Sequence, residues 1–338
     1  MTSWPTNCNM PLALRPNPGA AVSFRSHPVP MLGANLGLLF TMFAWATQIP
    51  ALGVLAQNWD PYFLGMVRYA GALPILYAIL KLREPGPVLP VGLPRWRLWL
   101  LGTAGIGLFA PIYTLAIAHS NLVVAAIVAS TAPAVAAVVA RLFFAQPLDR
   151  RMIPAIALAV VGCAIATWDP NNAEDPFDLE GGEPLFLVAS ALWSWYSLAA
   201  QRWMLGHSQL RITVATLVPG TLVAFAVFLV AGLLGQADLQ PNGLRNGLDL
   251  ALQIWVSLGA VVLGMVFWNY GVQKLGVVVA SLFLNVIPVL TILVLAIMGT
   301  PPAWTQVLGG VLVIAGLLQA QLRGFARGAR PAKPARLG

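Results

Sequence analysis

Charged side chains are scarce in this chain: 9% of its 338 residues are Asp, Glu, Lys or Arg, whereas 59% are hydrophobic. Soluble domains carry about 25% charged residues, so most of the surface of this protein must face something other than water. A helix that spans a membrane requires about 20 apolar residues, and the length of the chain therefore allows roughly ten spans joined by short loops.

Histidine and cysteine are scarce as well. The three histidines, His27, His119 and His207, lie outside the centres of the apolar segments, and the two cysteines, Cys8 and Cys163, are far apart. A hydrolase needs a nucleophile beside a positioned base, and a metal site needs clustered His, Cys or carboxylate groups. Neither arrangement can be built at membrane depth from these residues. We therefore expect no enzymatic activity, no bound metal and no cofactor.

Ten apolar segments, each bounded by Pro, Gly or a charged residue, follow a polar, proline-rich stretch at residues 1–30. That stretch lacks the apolar core of a signal peptide. We expect it to be a disordered tail, and translation from Met31 is an alternative. Several connections are so short that neighbouring helices must be antiparallel. The predicted spans are residues 33–56, 61–81, 97–118, 121–143, 152–168, 184–204, 211–234, 250–273, 277–298 and 304–322.

The basic residues collect on one side of the predicted membrane. With the N-terminus in the cytoplasm, 17 of the 19 Lys and Arg residues fall in cytoplasmic segments, Arg245 falls outside and Arg68 lies within a span. Nine of the 11 acidic residues fall outside. An excess of Lys and Arg marks the cytoplasmic side, so we expect a multi-pass protein of the bacterial inner membrane with both termini in the cytoplasm. The isoelectric point near 10.1 then reflects a basic rim beside membrane lipid and not a nucleic-acid surface.

Two parts of the chain resemble each other. The segment SNLVVAAIVASTAPAV, which begins at Ser120, aligns with LGVVVASLFLNVIPVL, which begins at Leu275, at an offset of 155 residues. Tryptophan-bearing segments, AWATQ around Trp45 and LWSWY around Trp193, also lie near the start of each half. The matched pairs at the constant offset are Tyr113 with Trp268, Ser130 with Asn285, and Pro133 with Pro288.

Each half contains five predicted helices, and an odd number means that the second half enters the membrane in the opposite orientation. The expected fold class is therefore an all-α integral membrane protein with ten transmembrane helices in two inverted five-helix repeats. Residues 31–168 form the first repeat, 169–183 an acidic external linker, 184–322 the second repeat and 323–338 a basic cytoplasmic tail. Inverted repeats recur in secondary transporters, which bind substrate near the membrane midplane between the copies.

The chain also resembles a known family. FWNYGVQKLGVVVASLFLNVIPVLTILVLAIMG, followed by LGGVLVIAGLL, looks like the C-terminal half of EamA-type carriers of the drug/metabolite transporter superfamily, and FLGMVRYAGAL resembles the RF/RY segment of their second helix. The resemblance covers residues 33–322. Many members carry Gly-Glu after helices four and nine, where this chain has AQPL at 145–148 and GTPP at 299–302. The resemblance implies a ten-helix carrier of metabolites or drugs, often working outward, with amino-acid exporters among its relatives.

Arg68 is the most informative single residue. It follows Asp60 by eight residues, which places it about 12 Å along a helix at 1.5 Å per residue. A charge at that depth is costly and by default faces a cavity or a partner. We therefore expect Arg68 to attract a substrate carboxylate or to hold the outer gate shut. Snorkelling to the interface, or capping of a broken helix for structure alone, is the alternative.

The paired prolines are the second indication of a site. Pro133 and Pro288 each leave the carbonyl four residues earlier without its helical donor, and Ser130 and Asn285 precede them by three residues. Broken backbone at membrane depth occurs where it is buried or lines a water-filled cavity. We expect both helices to line the transport pathway and to act in gating, with a packing kink as the alternative.

Deep aromatic and amide side chains complete the predicted site. Aromatic rings at span ends belong to the interfacial belt, but several lie too deep for that role. They would form an amphipathic cavity for an organic metabolite, unless each merely packs between helices. The residues are Trp45, Gln48, Tyr113, Trp193, Tyr196, Trp268 and Asn269.

No Asp or Glu falls inside any predicted span. Proton-driven antiporters commonly use an intramembrane carboxylate, so a mechanism of that kind is not expected. Facilitated diffusion, or proton coupling through an end-of-helix group such as Asp60 or His119, remains open.

The sequence favours a secondary transporter that works by alternating access and moves a small organic metabolite. An amino acid or a related compound, exported from the cell, is the preferred substrate, and a drug or another metabolite is the alternative. A channel would show filter-like carbonyl runs or charged rings, and an ATP-driven pump would show a Walker A motif; the sequence has neither. The expected partners are the substrate and membrane lipid, and a monomer or a homodimer is compatible with the sequence.

Overall fold

A computed structural model describes residues 28–89, 93–146, 152–170, 177, 179–239, 247–275, 280, 283–284 and 286–328 of the chain. These residues form helices and connecting turns, with one isolated β-bridge between Trp168 and Phe177 and no strand among them. The all-helical class predicted from the sequence is confirmed. The helices are α1 Pro28–Leu55, α2 Pro61–Arg83, α3 Arg95–Ala118, α4 Leu122–Ala129, α5 Ala132–Phe144, α6 Met152–Ala166, α7 Glu183–Trp203, α8 Gln209–Leu233, α9 Gly247–Leu275, α10 Val286–Ile297 and α11 Trp304–Gly328.

Five of these helices are long and apolar enough to cross a membrane, namely α1, α2, α3, α8 and α9, and α4 with α5 makes a sixth if the bent pair is one span. The apolar stretches Ile156–Ala166, Val286–Ile297 and Trp304–Gly316 are shorter. A helix of 12 residues is about 18 Å long, whereas the hydrocarbon core of a bilayer is about 30 Å thick. Ten spans therefore remain a prediction.

Apolar side chains cover the outside of the bundle as well as its core. On α8, Leu222, Phe225 and Leu229 are exposed, whereas Ala224 and Phe228 are buried. An apolar patch of this kind is unfavourable in water and is the ordinary outer surface of a helix in lipid. The packing thus agrees with the composition.

The two sequence halves pack on each other throughout the bundle. α1 lies against α9 and α10, α2 against α8, α3 against α8 and α7, and α6 against α11. The core is therefore built largely from contacts between the halves, together with the packing of α2 on α3 within the first half.

Two helices widen into π-helical segments, at Thr103–Leu108 in α3 and Trp255–Leu263 in α9. The residues 155 positions after 103–108 are 258–263, which lie in the second segment. A π-helical turn inserts extra backbone into a helix and is frequent at functional sites. Sequence periodicity did not predict either segment.

The break between α4 and α5 lies at Ser130 and Thr131, where the helix axis bends by 48°. The Ser130 hydroxyl donates to the carbonyl of Ile127 (2.6 Å), and the Thr131 hydroxyl donates to that of Val128 (2.7 Å). Pro133 lies in the first turn of α5, where a helix tolerates proline because the N–H is not needed there. The short hydroxyl side chains thus satisfy carbonyls that the break exposes.

α6 and α11 approach each other at two glycines. A methyl group on Gly162 would lie 2.6 Å from the Gly309 carbonyl oxygen, and one on Gly309 would collide with the Gly162 carbonyl and lie 2.8 Å from Ala166. Small residues at a helix crossing allow backbones to pack in membranes, so these two glycines set the distance between α6 and α11.

We expect Gly309→Ala to destabilise the protein by about 1–3 kcal/mol, the usual cost of overpacking. The measurement is the free energy of unfolding in an SDS titration of protein purified in mild detergent. Gly310→Ala is the matched control, because the nearest atom to its new methyl group would be 3.6 Å away on Ile127. Equal stability of the two variants would contradict this account of the crossing.

Candidate functional site

Arg68 lies about two turns from the start of α2 and is 1% exposed. Its guanidinium carbon lies 4.8 Å from the ring centre of Tyr69 and 5.4 Å from that of Tyr113. Aromatic faces stabilise a desolvated cation. They do not accept its N–H groups in the way an oxygen does, and Nε and Nη2 are buried without a hydrogen-bond partner in the described part of the chain.

The two unpartnered nitrogens of Arg68 lie on the same edge of the guanidinium plane. Their N–H bonds point in parallel at the spacing of the two oxygens of a carboxylate, which is the bidentate geometry of Arg–carboxylate pairs. Burial of a charge without such a partner is costly. The arrangement is therefore suited to bind one carboxylate from a ligand.

The wall beside Arg68 is held by contacts between α2 and α3. A methyl group on Gly65 would lie 2.8 Å from the backbone nitrogen of Pro111, so the two helices touch at that point. One turn further along α3, the Thr114 hydroxyl donates to the Pro61 carbonyl (2.6 Å). Gln48 of α1 hydrogen bonds to Tyr113. Three helices thus fix the position of the tyrosine that faces Arg68.

A continuous row of aromatic rings extends from Tyr113. Tyr113 stacks on Phe109 at 5.3 Å, Phe109 lies 5.2 Å from Trp193, and Trp193 lies 5.3 Å from Tyr196. The Tyr196 hydroxyl is 3.1 Å from that of Thr216 on α8. The structure therefore brings together five of the predicted site residues: Arg68, Gln48, Tyr113, Trp193 and Tyr196.

Trp45 and Trp268 form a second aromatic pair, at the interface of α1 and α9. Their ring centres are 5.5 Å apart, and Trp45 Nε1 donates to the Ala260 carbonyl (2.9 Å). The neighbouring Asn269 has its Nδ2 buried without a partner among the described residues. The indole N–H of Trp45 is thus used in helix packing, whereas the Asn269 amide is available to a ligand.

The sequence also assigned Ser130, Asn285 and the two prolines Pro133 and Pro288 to the site. Ser130 directs its hydroxyl to its own helix, Pro288 is buried in the first turn of α10, and Asn285 lies outside the described residues. Close to Pro288, the Thr291 hydroxyl donates to the Ala46 carbonyl (3.0 Å). That carbonyl lacks its helical donor because Pro50 has no N–H, so a residue of α10 replaces the missing bond in α1.

Three polar residues of α9 were missed by the sequence analysis: Asp249, Gln253 and Ser257. They follow at intervals of four and so share one face of the helix, and all three are buried. Asp249 Oδ2 accepts hydrogen bonds from Asn58 Nδ2 (3.0 Å) and Trp59 Nε1 (3.3 Å), while Gln253 Nε2 donates to Ser257 Oγ (3.0 Å).

The expectation that acidic residues stay outside the spans needs correction at two helix starts. Asp249 belongs to the first turn of α9, and Glu183 to that of α7, and both are buried. The prediction treated Asp249 as the boundary of a span that begins at 250 because charge was used to end apolar segments. The spacing of Asp249, Gln253 and Ser257 by four residues is the pattern that would have revealed a polar face. Asp60 is instead a helix cap: its Oδ1 accepts from the backbone of Tyr62 and Phe63.

The region around Arg68 is closed to solvent in this structure. Two grooves of about 350 and 340 Å³ lie elsewhere, on the outer face of the bundle, and are lined by apolar residues such as Val223 and Val227 in one and Val161 and Ala164 in the other. None of the predicted site residues lines them. Because these grooves are apolar and open on the outer surface of the bundle, we do not assign the candidate site to them.

Comparison with known proteins identifies two matching regions. The model of the EamA-like transporter family matches residues 32–168 and again residues 181–320. The two matches together cover most of the chain, and each covers one of the halves defined from the sequence.

Individual relatives have low sequence identity to this chain, but the alignments cover most of both proteins. The uncharacterized transporter YyaM of Bacillus subtilis is 26% identical over 65% of this chain and 71% of its own length. A protein of Streptantibioticus cattleyicolor named "Probable terminal-alkyne amino-acid exporter" is 23% identical over 88% of this chain and 97% of its own. A solved crystal structure aligns with a TM-score of 0.58 and 16% identity, over 90% of this chain and all of that one. This last likeness is one of fold.

The ring of Tyr113 is expected to stabilise the buried Arg68. Tyr113→Leu removes both the stacking on Phe109 and the face toward the guanidinium, so the free energy of unfolding should fall by about 2 kcal/mol. Tyr113→Phe keeps the ring and loses the bond to Gln48, which costs about 1 kcal/mol. Unfolding in SDS, followed by tryptophan fluorescence, measures both changes. An equal decrease in the free energy of unfolding in both variants would show that the aromatic ring of Tyr113 does not stabilise the buried Arg68.

Proposed function

Because the chain belongs to the EamA-like transporter family, we propose that it moves a small carboxylated metabolite across the bacterial inner membrane by alternating access. Membership of the family makes it a multi-pass membrane transporter and not an enzyme. The direction of transport, the substrate and the mechanism are the parts that we propose.

We propose ten spans in two inverted repeats for this transporter. In support, α2 begins at the capping residue Asp60, and α8 begins 148 residues later at the capping residue Ser208. Trp45 and Trp193 are separated by the same number. The π-helical segments of α3 and α9 fall at an offset of 155. The seven additional residues of the second half are spread over α8, the connection after it and the π-helical segment of α9, which are two, two and three residues longer than their counterparts.

Alternating access would use the two ends of the α2–α8 pair. At one end, Asp60 Oδ2 accepts from the Asp238 backbone N–H (3.1 Å). At the other, Glu84 Oε2 accepts from Ser208 Oγ (2.8 Å) and pairs with Arg211 Nε (3.3 Å). Each contact joins the cap of one helix to the segment that follows the other. Each half thus holds the other at both ends, and release of one end at a time would open the central site to one side.

The substrate assignment rests on the two buried nitrogens of Arg68 that lack a partner among the described residues. A carboxylate would satisfy both unpartnered N–H groups and neutralise the buried charge, and the rings of Tyr113, Phe109 and Trp193 would cover an apolar portion of the ligand. An amino acid or a related compound fits this combination. Export is supported by the name of the relative from Streptantibioticus cattleyicolor.

A drug or another metabolite is the second candidate substrate, favoured by the aromatic row itself. Four rings in sequence from Tyr113 to Tyr196 offer apolar contact that is tolerant of ligand shape. A compound that relies on the rings alone would bind without a carboxylate, so the two candidates differ in their dependence on Arg68. A monomer or a homodimer suits either substrate.

Cysteine labelling tests the ten-span topology. After Cys8 and Cys163 are replaced by Ser, single cysteines at Gln57, Leu234 and Pro301 should react with an impermeant maleimide added to intact cells. Cysteines at Leu205 and Gln273 should react only after permeabilisation. All five positions are exposed ends of helices or loops. External labelling at Gln273, or its loss at Pro301, would refute the proposed number of spans after α8.

Arg68→Gln should raise the KM for substrate by about 10–100-fold, because a charge-assisted pair is worth about 1.5–3 kcal/mol. Counterflow of radiolabelled amino acids in proteoliposomes measures this and also separates a carrier from a channel. Arg68→Lys should restore little, since an ammonium lacks the bidentate edge.

Arg202→Gln is the matched control for Arg68→Gln, because Arg202 is exposed near the end of α7. It should leave the KM unchanged. An unchanged KM in Arg68→Gln as well would exclude the carboxylate assignment and favour a ligand held by the aromatic row.

A further inference from the structure

Asp249 and Gln253 each have a buried oxygen atom without a hydrogen-bond partner. Asp249 is 1% exposed and Gln253 is 7% exposed. Asp249 Oδ1 and Gln253 Oε1 have no donor within the described residues, although the other polar atom of each side chain is bonded. An unsatisfied buried acceptor costs about 1–3 kcal/mol, and more when it carries charge. Two such atoms one helical turn apart therefore form an empty acceptor site.

The surroundings of Asp249 supply no counter-charge. α1, which packs on the start of α9, has no ionisable side chain. The connection before α2 contributes Asp60, whose oxygens bind backbone N–H groups of Tyr62, Phe63 and Asp238. Across the described residues, the ion pair within 4 Å is Glu84 with Arg211, so Asp249 is not neutralised by a basic side chain there.

Arg68 and Gln253 lie at similar levels on two neighbouring helices. α2 and α9 touch where a methyl group on Gly71 would be 3.4 Å from Ser257 Oγ, and both helices approach the Asn58–Trp59 end at their N-termini, as the bonds to Asp249 show. From that contact, Arg68 is three residues and Gln253 four residues toward the N-terminus, or about 4.5 and 6 Å at 1.5 Å per residue. The backbone of Arg68 therefore lies between the levels of Ser257 and Gln253 on the neighbouring helix.

We propose that Asp249 and Gln253 bind the ammonium group of a zwitterionic amino acid whose carboxylate is bound by Arg68. This inference rests on the proposed carrier function and names the substrate class of the same site. The carboxylate satisfies Nε and Nη2 of Arg68. The ammonium donates to Asp249 Oδ1 and Gln253 Oε1, and its charge balances that of Asp249. One ligand thereby supplies a partner to all four unpartnered atoms, and its side chain extends along the aromatic row.

The site also predicts which analogues are rejected. An N-acetyl amino acid and a 2-oxo acid both keep the carboxylate but have no ammonium, so they leave Asp249 buried and unpaired. Sites built to hydrogen bond a polar group discriminate strongly against analogues that lack it. A methyl ester keeps the ammonium but has no carboxylate, so it cannot pair with Arg68.

The test is counterflow in proteoliposomes with the full chain. The probes are the twenty protein amino acids, followed by the N-acetyl, 2-oxo and methyl-ester analogues of the best one. The wild type should transport the amino acid with a much lower KM than any of the three analogues. Asp249→Asn should raise the KM for the amino acid by about tenfold or more, the size expected for loss of a charge-assisted bond, while the KM for the 2-oxo acid stays level or falls. Gln253→Leu should likewise raise the ratio of the KM for the amino acid to the KM for the 2-oxo acid.

Glu183→Gln is the matched control. Glu183 is also a buried carboxylate in the first turn of a helix, and its Oε1 is also unpartnered, but its Oε2 accepts from the Gly181 backbone. This variant should keep the wild-type preference for the amino acid.

The outcomes separate the two proposals. Transport of the 2-oxo or N-acetyl analogue by the wild type with a KM as low as that for the amino acid, or an unchanged ratio in both Asp249→Asn and Gln253→Leu, would overturn the ammonium site and leave the carboxylate carrier standing. Failure of every carboxylate to show counterflow would overturn the proposed carboxylate substrate itself. If Asp249→Asn does not fold, the ratio measured in Gln253→Leu decides.

Discussion

The need to satisfy polar groups inside an apolar bundle governs this structure. A bilayer offers no water to backbone N–H and C=O groups, so each must find a protein partner. Where a proline or a helix break removes one bond, a short side chain replaces it: Thr291 serves the Ala46 carbonyl in place of Pro50, and Ser130 and Thr131 serve carbonyls at the end of α4. The Thr291 bond also joins the two halves, because α10 and α1 belong to different ones.

Against this background, the buried atoms that stay unsatisfied are informative. Arg68, Asp249, Gln253 and Asn269 each keep an unpartnered nitrogen or oxygen at the interface of the halves, although neighbouring groups are fully bonded. Natural proteins seldom retain such groups, and their occurrence asks for an explanation. In the transport function that we propose, the substrate would be the partner of Arg68, Asp249 and Gln253, and the cost of leaving them unpaired would favour its binding. Glu183, which also keeps an unpartnered oxygen, lies outside that proposed site.

The sequence was sufficient for the helical class, for the family and for the positions of most helices, because each of these depends on apolar length and on turn residues. α2 and α8, for example, begin within two residues of their predicted starts, each after a capping side chain. Burial of Arg68 followed from its distance to Asp60. The π-helical segments did not follow, since their extra residue per turn leaves no mark in an apolar run. The sequence analysis placed Asp249 outside the span because a charged residue was used to end it. In the structure, Asp249 is buried in the first turn of α9 and accepts a hydrogen bond from Trp59.

The two halves differ at the positions that correspond to Arg68 and Gln48, and this difference bears on the proposed substrate site. At the offset of 148 residues that relates Asp60 to Ser208, Arg68 corresponds to Thr216 and Gln48 to Tyr196. Thr216 and Tyr196 bond to each other and are neutral, whereas Arg68 has no oxygen partner for two of its nitrogens. The corresponding positions of the two halves therefore differ. Thr216 and Tyr196 satisfy each other's hydrogen bonds, whereas Arg68 keeps two nitrogens without an acceptor among the described residues. A fully symmetric site would bind a substrate equally well in either orientation. In the proposed mechanism, Arg68 would hold the carboxylate on the side of α2, so the two halves could open in turn around a ligand that keeps its orientation.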